Sequence, residues 1–169
     1  TKSQLFKVDT QNPSSAIGSP TEGQRIRGAS YTVTGTSSDS NSLVASVEVS
    51  TDGGTIWQPA ANTGTNFSTW SYSWTLPTDG SYNVKSRAVD TAGNTEVAGA
   101  GVNVTVDNTP PTVASTDPAD GATAVPVTAT VKAAFSEEMD ASTINTSTFL
   151  LHDGVTYVAG TVSYSSLTK

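Results

Sequence analysis

The chain has 169 residues, 15 of them acidic against 8 basic, with a formal net charge of −7 and no cysteine. An acidic surface repels phosphate backbones and anionic lipid headgroups, so nucleic acid is excluded as a partner, and without cysteine no disulfide holds the fold. No apolar run approaches the ~20 residues of a helical membrane span, which argues against membrane insertion, and the composition (Ser, Thr, Gly, Ala, Val and Asn) is that of strands and turns.

The chain opens with Gln4-Leu-Phe-Lys-Val8. Residues 1–10 read as the last strand of a preceding domain or as a linker. A repeat follows directly. Lys7-Val-Asp-Thr-Gln-Asn-Pro13 and Ser19-Pro-Thr-Glu-Gly23 align without a gap on Thr105-Val-Asp-Asn-Thr-Pro-Pro111 and Asp117-Pro-Ala-Asp-Gly121, at a constant offset of 98 residues. A fixed period of that size marks tandem domains. The expected boundaries are therefore 1–10, a complete domain over 11–108, and the first part of another over 109–169.

Within 11–108 the elements are strands. Gly28–Gly35 alternates, with Tyr31 and Val33 on one face. Leu43–Ser50 places Leu43, Ala45, Val47 and Val49 inward and Ser46, Glu48 and Ser50 outward. Thr51-Asp-Gly-Gly54 is a tight turn, and the return strand carries Ile56 and Trp57. Phe67–Leu76 sets Trp70, Tyr72, Trp74 and Leu76 at alternate positions. Tyr82, Val84 and Ala88 share a face in the next strand, Thr91-Ala-Gly-Asn94 turns, and Val102–Val106 closes the domain: about seven strands in all. In the following unit Val125–Phe135 alternates, with Val127, Ala129, Val131, Ala133 and Phe135 inward. Asp140 is placed to cap a short helical turn, and two more strands flank His152-Asp-Gly154.

Three patches carry a family resemblance. Asp79-Gly-Ser-Tyr-Asn-Val84 resembles the tyrosine-corner segment of immunoglobulin domains, with Val84 where those domains place a cysteine. Arg87-Ala-Val-Asp-Thr-Ala-Gly-Asn94, with the Val-Asp-x-x-x-Pro joints, is similar to tandem Ig-like and fibronectin-III-like repeats of bacterial surface proteins and adhesins. Pro111 to Phe149, through Ala134-Phe-Ser-Glu-Glu-Met-Asp140, resembles the bacterial Ig-like domain first known from S-layer proteins. The resemblance implies an all-β fold of Ig-like antiparallel β-sandwiches in tandem. It implies a bacterial extracellular or cell-surface setting and a non-catalytic role in spacing, display, adhesion or surface-layer assembly. A carbohydrate- or protein-binding adhesive module, or an accessory domain of an extracellular enzyme, is the alternative. The partners expected are neighbouring Ig-like domains of the parent chain, a glycan or protein ligand, and further copies of the chain by strand addition between residues 1–9 and the last unit.

Each candidate site has a structural reading beside a functional one. Ser50-Thr-Asp-Gly-Gly-Thr-Ile-Trp57 matches the Asp-box of β-propeller sialidases, but one copy cannot build a propeller. Asp52 is expected to accept turn amides, Gly54 to take positive φ, and Trp57 to pack under the hairpin. Trp70, Tyr72 and Trp74 form a glycan-stacking platform if exposed and a core face if buried; their alternation with Ser and Thr favours the core. Asp9 and Asp107 sit at equivalent joints, and Asp90 lies on a turn that can approach one. Such oxygen-rich junctions are where calcium would bind, with turn capping as the plainer account. Pro110 and Pro111 stiffen the joint, and Tyr82 anchors the tyrosine corner. His152, the single histidine, has no partner for a zinc or nucleophile site, and Glu137, Glu138 and Asp140 read as a solvated turn. No catalytic residue is expected.

Overall fold

The computed structural model of the chain describes residues 8–166. It divides into two units, the first ending at Asn108 and the second beginning at Thr109. The strand expected over Gln4–Val8 lies almost wholly outside the described residues, and Val8, Asp9 and Thr10 themselves are not in a strand.

The first unit contains β1 (Ser14–Ser19), β2 (Gln24–Ile26), β3 (Ser30–Ser38), β4 (Val44–Ser50), β5 (Gln58–Pro59), β6 (Ala61–Asn62), β7 (Thr69–Thr75), β8 (Gly80–Asp90) and β9 (Val102–Val106). They form a four-stranded sheet, β1-β3-β7-β6, and a five-stranded sheet, β2-β9-β8-β4-β5. Every pair is antiparallel except β2 with β9, which is parallel. The inward faces meet in one core. Val33, Trp70 and Trp74 come from the first sheet, and Ile26, Val44, Val47, Val49, Val84, Ala88, Val104 and Val106 from the second. β-Branched valines pack the pleated surface with little rotamer freedom to lose, while the indoles fill the centre of the layer.

Gly35 faces Trp70 across the β3–β7 pair. A Cβ there would overlap the indole and the carbonyl oxygen of Ala16, so the core admits only glycine at this position. Glu96 ties the two sheets together at one edge. Its two carboxylate oxygens accept the backbone N–H of Ser15 in β1 and of Ala88 in β8, each at 2.9 Å. The tyrosine corner forms as expected, with the Tyr82 hydroxyl donating to the Thr78 carbonyl at 2.7 Å. Tyr82 also meets Trp74 edge to face at 5.6 Å, and Val84 is fully buried beneath.

The β4 phase expected from alternation needs correction. Leu43 is 54% exposed and Ala45 is exposed, while Val44 is buried. The cause is a register shift between Val44 and Ser46 against β8, which inserts one residue and reverses the faces upstream of it. Ser50 is buried rather than outward, because its hydroxyl is drawn into the following turn. The return strand starts only at Gln58, and Ile56 is exposed.

The repeat is visible in the backbone. Ser19–Pro20 and Asp117–Pro118 are both cis, and Gly23 and Gly121 have φ of 73° and 74°. The Gln24 N–H donates to the Thr21 carbonyl and that of Ala122 to the Ala119 carbonyl, each at 3.1 Å. The same turn therefore recurs at the 98-residue offset.

The second unit contains β10 (Val113–Asp117), β11 (Lys132–Phe135), β12 (Leu151–His152) and β13 (Tyr157–Val158), arranged as two antiparallel pairs, β10-β11 and β12-β13. The strand expected from Val125 begins only at Lys132. Pro126 offers no N–H to a ladder, its carbonyl instead accepts the Ala129 amide in a turn, and Val127 is fully exposed. Asp140 caps the 3-10 turn Ala141–Thr143 as expected, accepting the Ser142 amide at 2.9 Å. His152 lies in β12, where its Nδ1 accepts the Gly154 N–H and its ring meets Tyr157 edge to face. The described residues contain no α-helix, and no helix long and apolar enough to cross a membrane.

Candidate metal centre

Three aspartates meet at one end of the first sandwich. Asp9 lies in the segment that precedes β1, Asp39 opens the turn between β3 and β4, and Asp90 ends β8. One carboxylate oxygen from each lies within 4.8 Å of the other two. The cluster is built by turn chemistry. Asp39 Oδ1 accepts the backbone N–H groups of Asn41 and Ser42 at 2.8 and 2.6 Å, an Asx turn that reverses the chain after β3. Asp90 Oδ1 accepts those of Ala92 and Asn94, each at 2.8 Å. Asp9 Oδ1 accepts that of Gln11 at 3.0 Å.

Those bonds fix the carboxylates and saturate one oxygen of each, but the second oxygens fare differently. Asp90 Oδ2 accepts the Ser42 hydroxyl at 3.2 Å and the Asn94 side-chain amide at 2.8 Å. Asp9 Oδ2 and Asp39 Oδ2 are sealed from solvent and have no donor. The Asn94 amide also donates to the Asp9 carbonyl at 3.2 Å, which brings a further oxygen to the same place.

Electrostatics sharpens the picture. The backbone N–H groups of Ser42 and Asn41 hold the Asp39 carboxyl below its ordinary range, against burial and the negative charge of Asp90. Burial pushes Asp90 upward, but the Asn94 side chain and backbone, with the Ser42 hydroxyl and the Ala92 amide, outweigh it, and Asp90 too is held low. Two neighbouring carboxylates thus stay ionised where only 2% of Asp90 is exposed.

Of the sequence candidates, the structure brings Asp9 and Asp90 together and leaves Asp107 elsewhere. Asp107 follows the residue of β9 that pairs with Gly80, at the start of β8, whereas Asp90 ends that strand. At ~3.3 Å per residue the length of β8 puts the two about 30 Å apart, so they cannot share an ion. Asp107 instead pairs with Arg25 at 2.8 Å. Asp39 was not singled out from sequence. Its signal was Asp39-Ser-Asn-Ser42 between two alternating strands, the composition of an Asx turn.

In the Asp-box segment the aspartate bonds within its own turn. Asp52 Oδ1 accepts the Ser50 hydroxyl at 2.6 Å and the N–H groups of Thr55 and Ile56, each at 3.0 Å. Gly54 has a φ of 103°, and the Trp57 indole packs against it. Arg87 lies over that indole, its guanidinium 4.3 Å from the ring centre, and pairs with Glu48 at 2.7 Å. Trp70 and Trp74 are 1% and 4% exposed, so the aromatic strand is core and no stacking platform.

Two facing sheets with a tyrosine corner, followed by a second β-unit that opens on the same turn, define an all-β protein of Ig-like architecture. Residues 13–85 match the family described as bacterial Ig domain, and residues 107–169 the family described as bacterial Ig-like domain. The chain thus carries two bacterial Ig-like domains in tandem. No curated protein matches it. Among solved structures it is similar to the sulfane dehydrogenase SoxCD from Paracoccus pantotrophus, at 24% identity and a TM-score of 0.43 over 50% of this chain and 23% of that one. It is also similar to the endo-β-1,4-mannanase from Thermotoga petrophila, at 15% identity and a TM-score of 0.47 over 60% of this chain and 21% of that one. A modular endo-β-1,4-mannanase from Cellulomonas fimi matches at 25% identity and a TM-score of 0.40, over 56% and 18% of the two chains. The chain therefore spans less than a quarter of the length of each of these.

Proposed function

We propose that this chain is a non-catalytic structural segment of a bacterial cell-surface or secreted protein. Ig-like domains placed in tandem outside the cell hold apart, display or assemble what the parent chain carries, and their immediate partners are the neighbouring domains. The family match supports the class and setting.

The observation that carries the spacer role is the joint. Asn108 is fastened to the first unit: its N–H donates to Asp79 Oδ1 and its own Oδ1 accepts the Gly28 N–H, each at 2.7 Å. Thr112 is fastened to the second: its N–H donates to Ser136 Oγ at 2.9 Å and its carbonyl accepts the Ser136 N–H at 2.8 Å. Between them stand Thr109, Pro110 and Pro111. Proline fixes φ and disfavours helical conformations in the residue before it, so this short segment has little torsional freedom.

Backbone nitrogen-15 relaxation on the 169-residue chain tests the reading. Pro110 and Pro111 should keep the backbone of residues 108–112 as rigid as the strands that flank it, and a Pro110→Gly, Pro111→Gly double variant should loosen it. Residues 108–112 as mobile in the native chain as in the variant would remove the spacer role. A saturable change in Trp fluorescence across a glycan panel would turn the assignment toward a binding module, although burial of Trp70 and Trp74 leaves that module without its aromatic platform.

A further inference from the structure

We propose that Asp9, Asp39 and Asp90 form a calcium site that fastens the segment preceding the first domain to the end of its sandwich. Three carboxylates gathered by turns do not by themselves make a metal site. What distinguishes this cluster is the state of its second oxygens. Asp9 Oδ2 and Asp39 Oδ2 are both sealed from solvent and both lack a donor. A buried carboxylate oxygen without a hydrogen bond is costly, and here two of them sit beside the buried Asp90. Among the described residues, no Lys or Arg pairs with any of the three. Within the described residues the negative charge of the cluster is therefore left without a cationic partner.

The geometry suits calcium. Calcium takes oxygens at ~2.3–2.6 Å, so two of its ligands lie at most about 5 Å apart, and the three carboxylate oxygens lie within 4.8 Å of one another. The donors are all hard oxygens, and the Asp9 carbonyl stands next to them at the Asn94 amide. Each carboxylate is already oriented by backbone N–H donation to its Oδ1, so little ordering remains on binding. Magnesium, which holds its waters and demands a tighter octahedron, fits this set less well. The three ligands come from places far apart in sequence: the segment ahead of β1, the β3–β4 turn and the end of β8. One ion would therefore join the incoming chain to both sheets.

Calorimetric melts of the 169-residue chain in millimolar calcium, in magnesium and in chelator test this. Binding to the folded form alone should raise the melting temperature of the first unit, by roughly 10 °C when calcium stands at about a hundredfold its Kd, and magnesium should raise it less. Isothermal titration at ambient temperature should find one calcium per chain. Asp9→Asn and Asp39→Asn should each abolish the rise, and Asp107→Asn should keep it. Asp9 lies outside every strand, so its variant reports on the site even if Asp39→Asn folds poorly. An unchanged melt of the native chain in calcium would overturn the proposal, as would a full calcium response in Asp9→Asn.

Discussion

In the first unit eleven apolar side chains are buried, from Ile26 to Val106; in the second, among the described residues, none is. Both units carry period-two apolar patterns, and both open on the same Pro-x-x-Gly turn. The difference lies in what faces each pattern. The valines of β4, β8 and β9 look across at Trp70 and Trp74 on another sheet. β10-β11 and β12-β13 are two-stranded pairs, a size that is marginal as an independent sheet. Val127, Val155 and Tyr157 remain exposed although their sequence context is as strand-like as that of Val47. Alternation states which side chains share a face; only a second layer turns that face into a core.

Equivalent substitutions in the two units should break the symmetry of their sequences. The largest effect is expected at Gly35→Ala. The new methyl would overlap the Trp70 indole and the Ala16 carbonyl, backbone that cannot move without β1. Overpacking of this kind costs about 3 kcal/mol or more, enough to remove a large part of a domain's stability. Gly160→Ala in the second unit meets nothing within 4 Å and should be nearly silent. Urea titration by intrinsic fluorescence measures both; equal effects would mean that the first core tolerates a shift of β1 away from β3.

A smaller contrast is expected between Val47→Ala and Val127→Ala. Val47 is fully buried, and losing its methyls should cost about 2 kcal/mol from transfer plus cavity. Val127 is fully exposed, and its replacement should stay within ~0.5 kcal/mol. A comparable loss at Val127 would show that the second unit buries this residue in solution.

Much of the first unit was legible because its local signals agree. Trp70 and Trp74 share a parity, with Ser71 and Ser73 on the alternate positions between them, and Tyr82 stands where a hydroxyl can return to Thr78. What escaped is what local pattern cannot encode. The β4 bulge reverses Leu43 and Ala45 through a single extra residue opposite β8, a property of the pair rather than of either strand. β1 and β2 have few apolar residues and become strands through their partners β3 and β9. At the candidate metal centre, Asp9 and Asp90 stood out as residues at joints and turns, but Asp39 joins them only because β3 and β8 end at the same edge of the sandwich. Asp107, the exact sequence counterpart of Asp9, is claimed by Arg25 at the opposite end.

One comparison should show likeness rather than difference. Asp52 in the first unit and Asp153 in the second hold the same kind of turn. Asp52 is lowered chiefly by the Ile56 backbone N–H and the Ser50 hydroxyl, and Asp153 by the N–H groups of Thr156 and Val155. A carboxylate whose pKa is lower folded than unfolded stabilises the fold when ionised. That contribution is complete above the ordinary value of ~3.9 and is lost as pH falls through the depressed folded value. Both groups are exposed, so solvent screens the effect and it should be the smallest of these changes. Asp52→Asn should flatten the acid limb of stability against pH for the first unit, and Asp153→Asn for the second, each followed by hydrogen exchange within its own unit. An acid limb left unchanged by Asp52→Asn would mean that its turn persists in the unfolded chain, since only a difference in proton binding between the two states can tilt stability with pH.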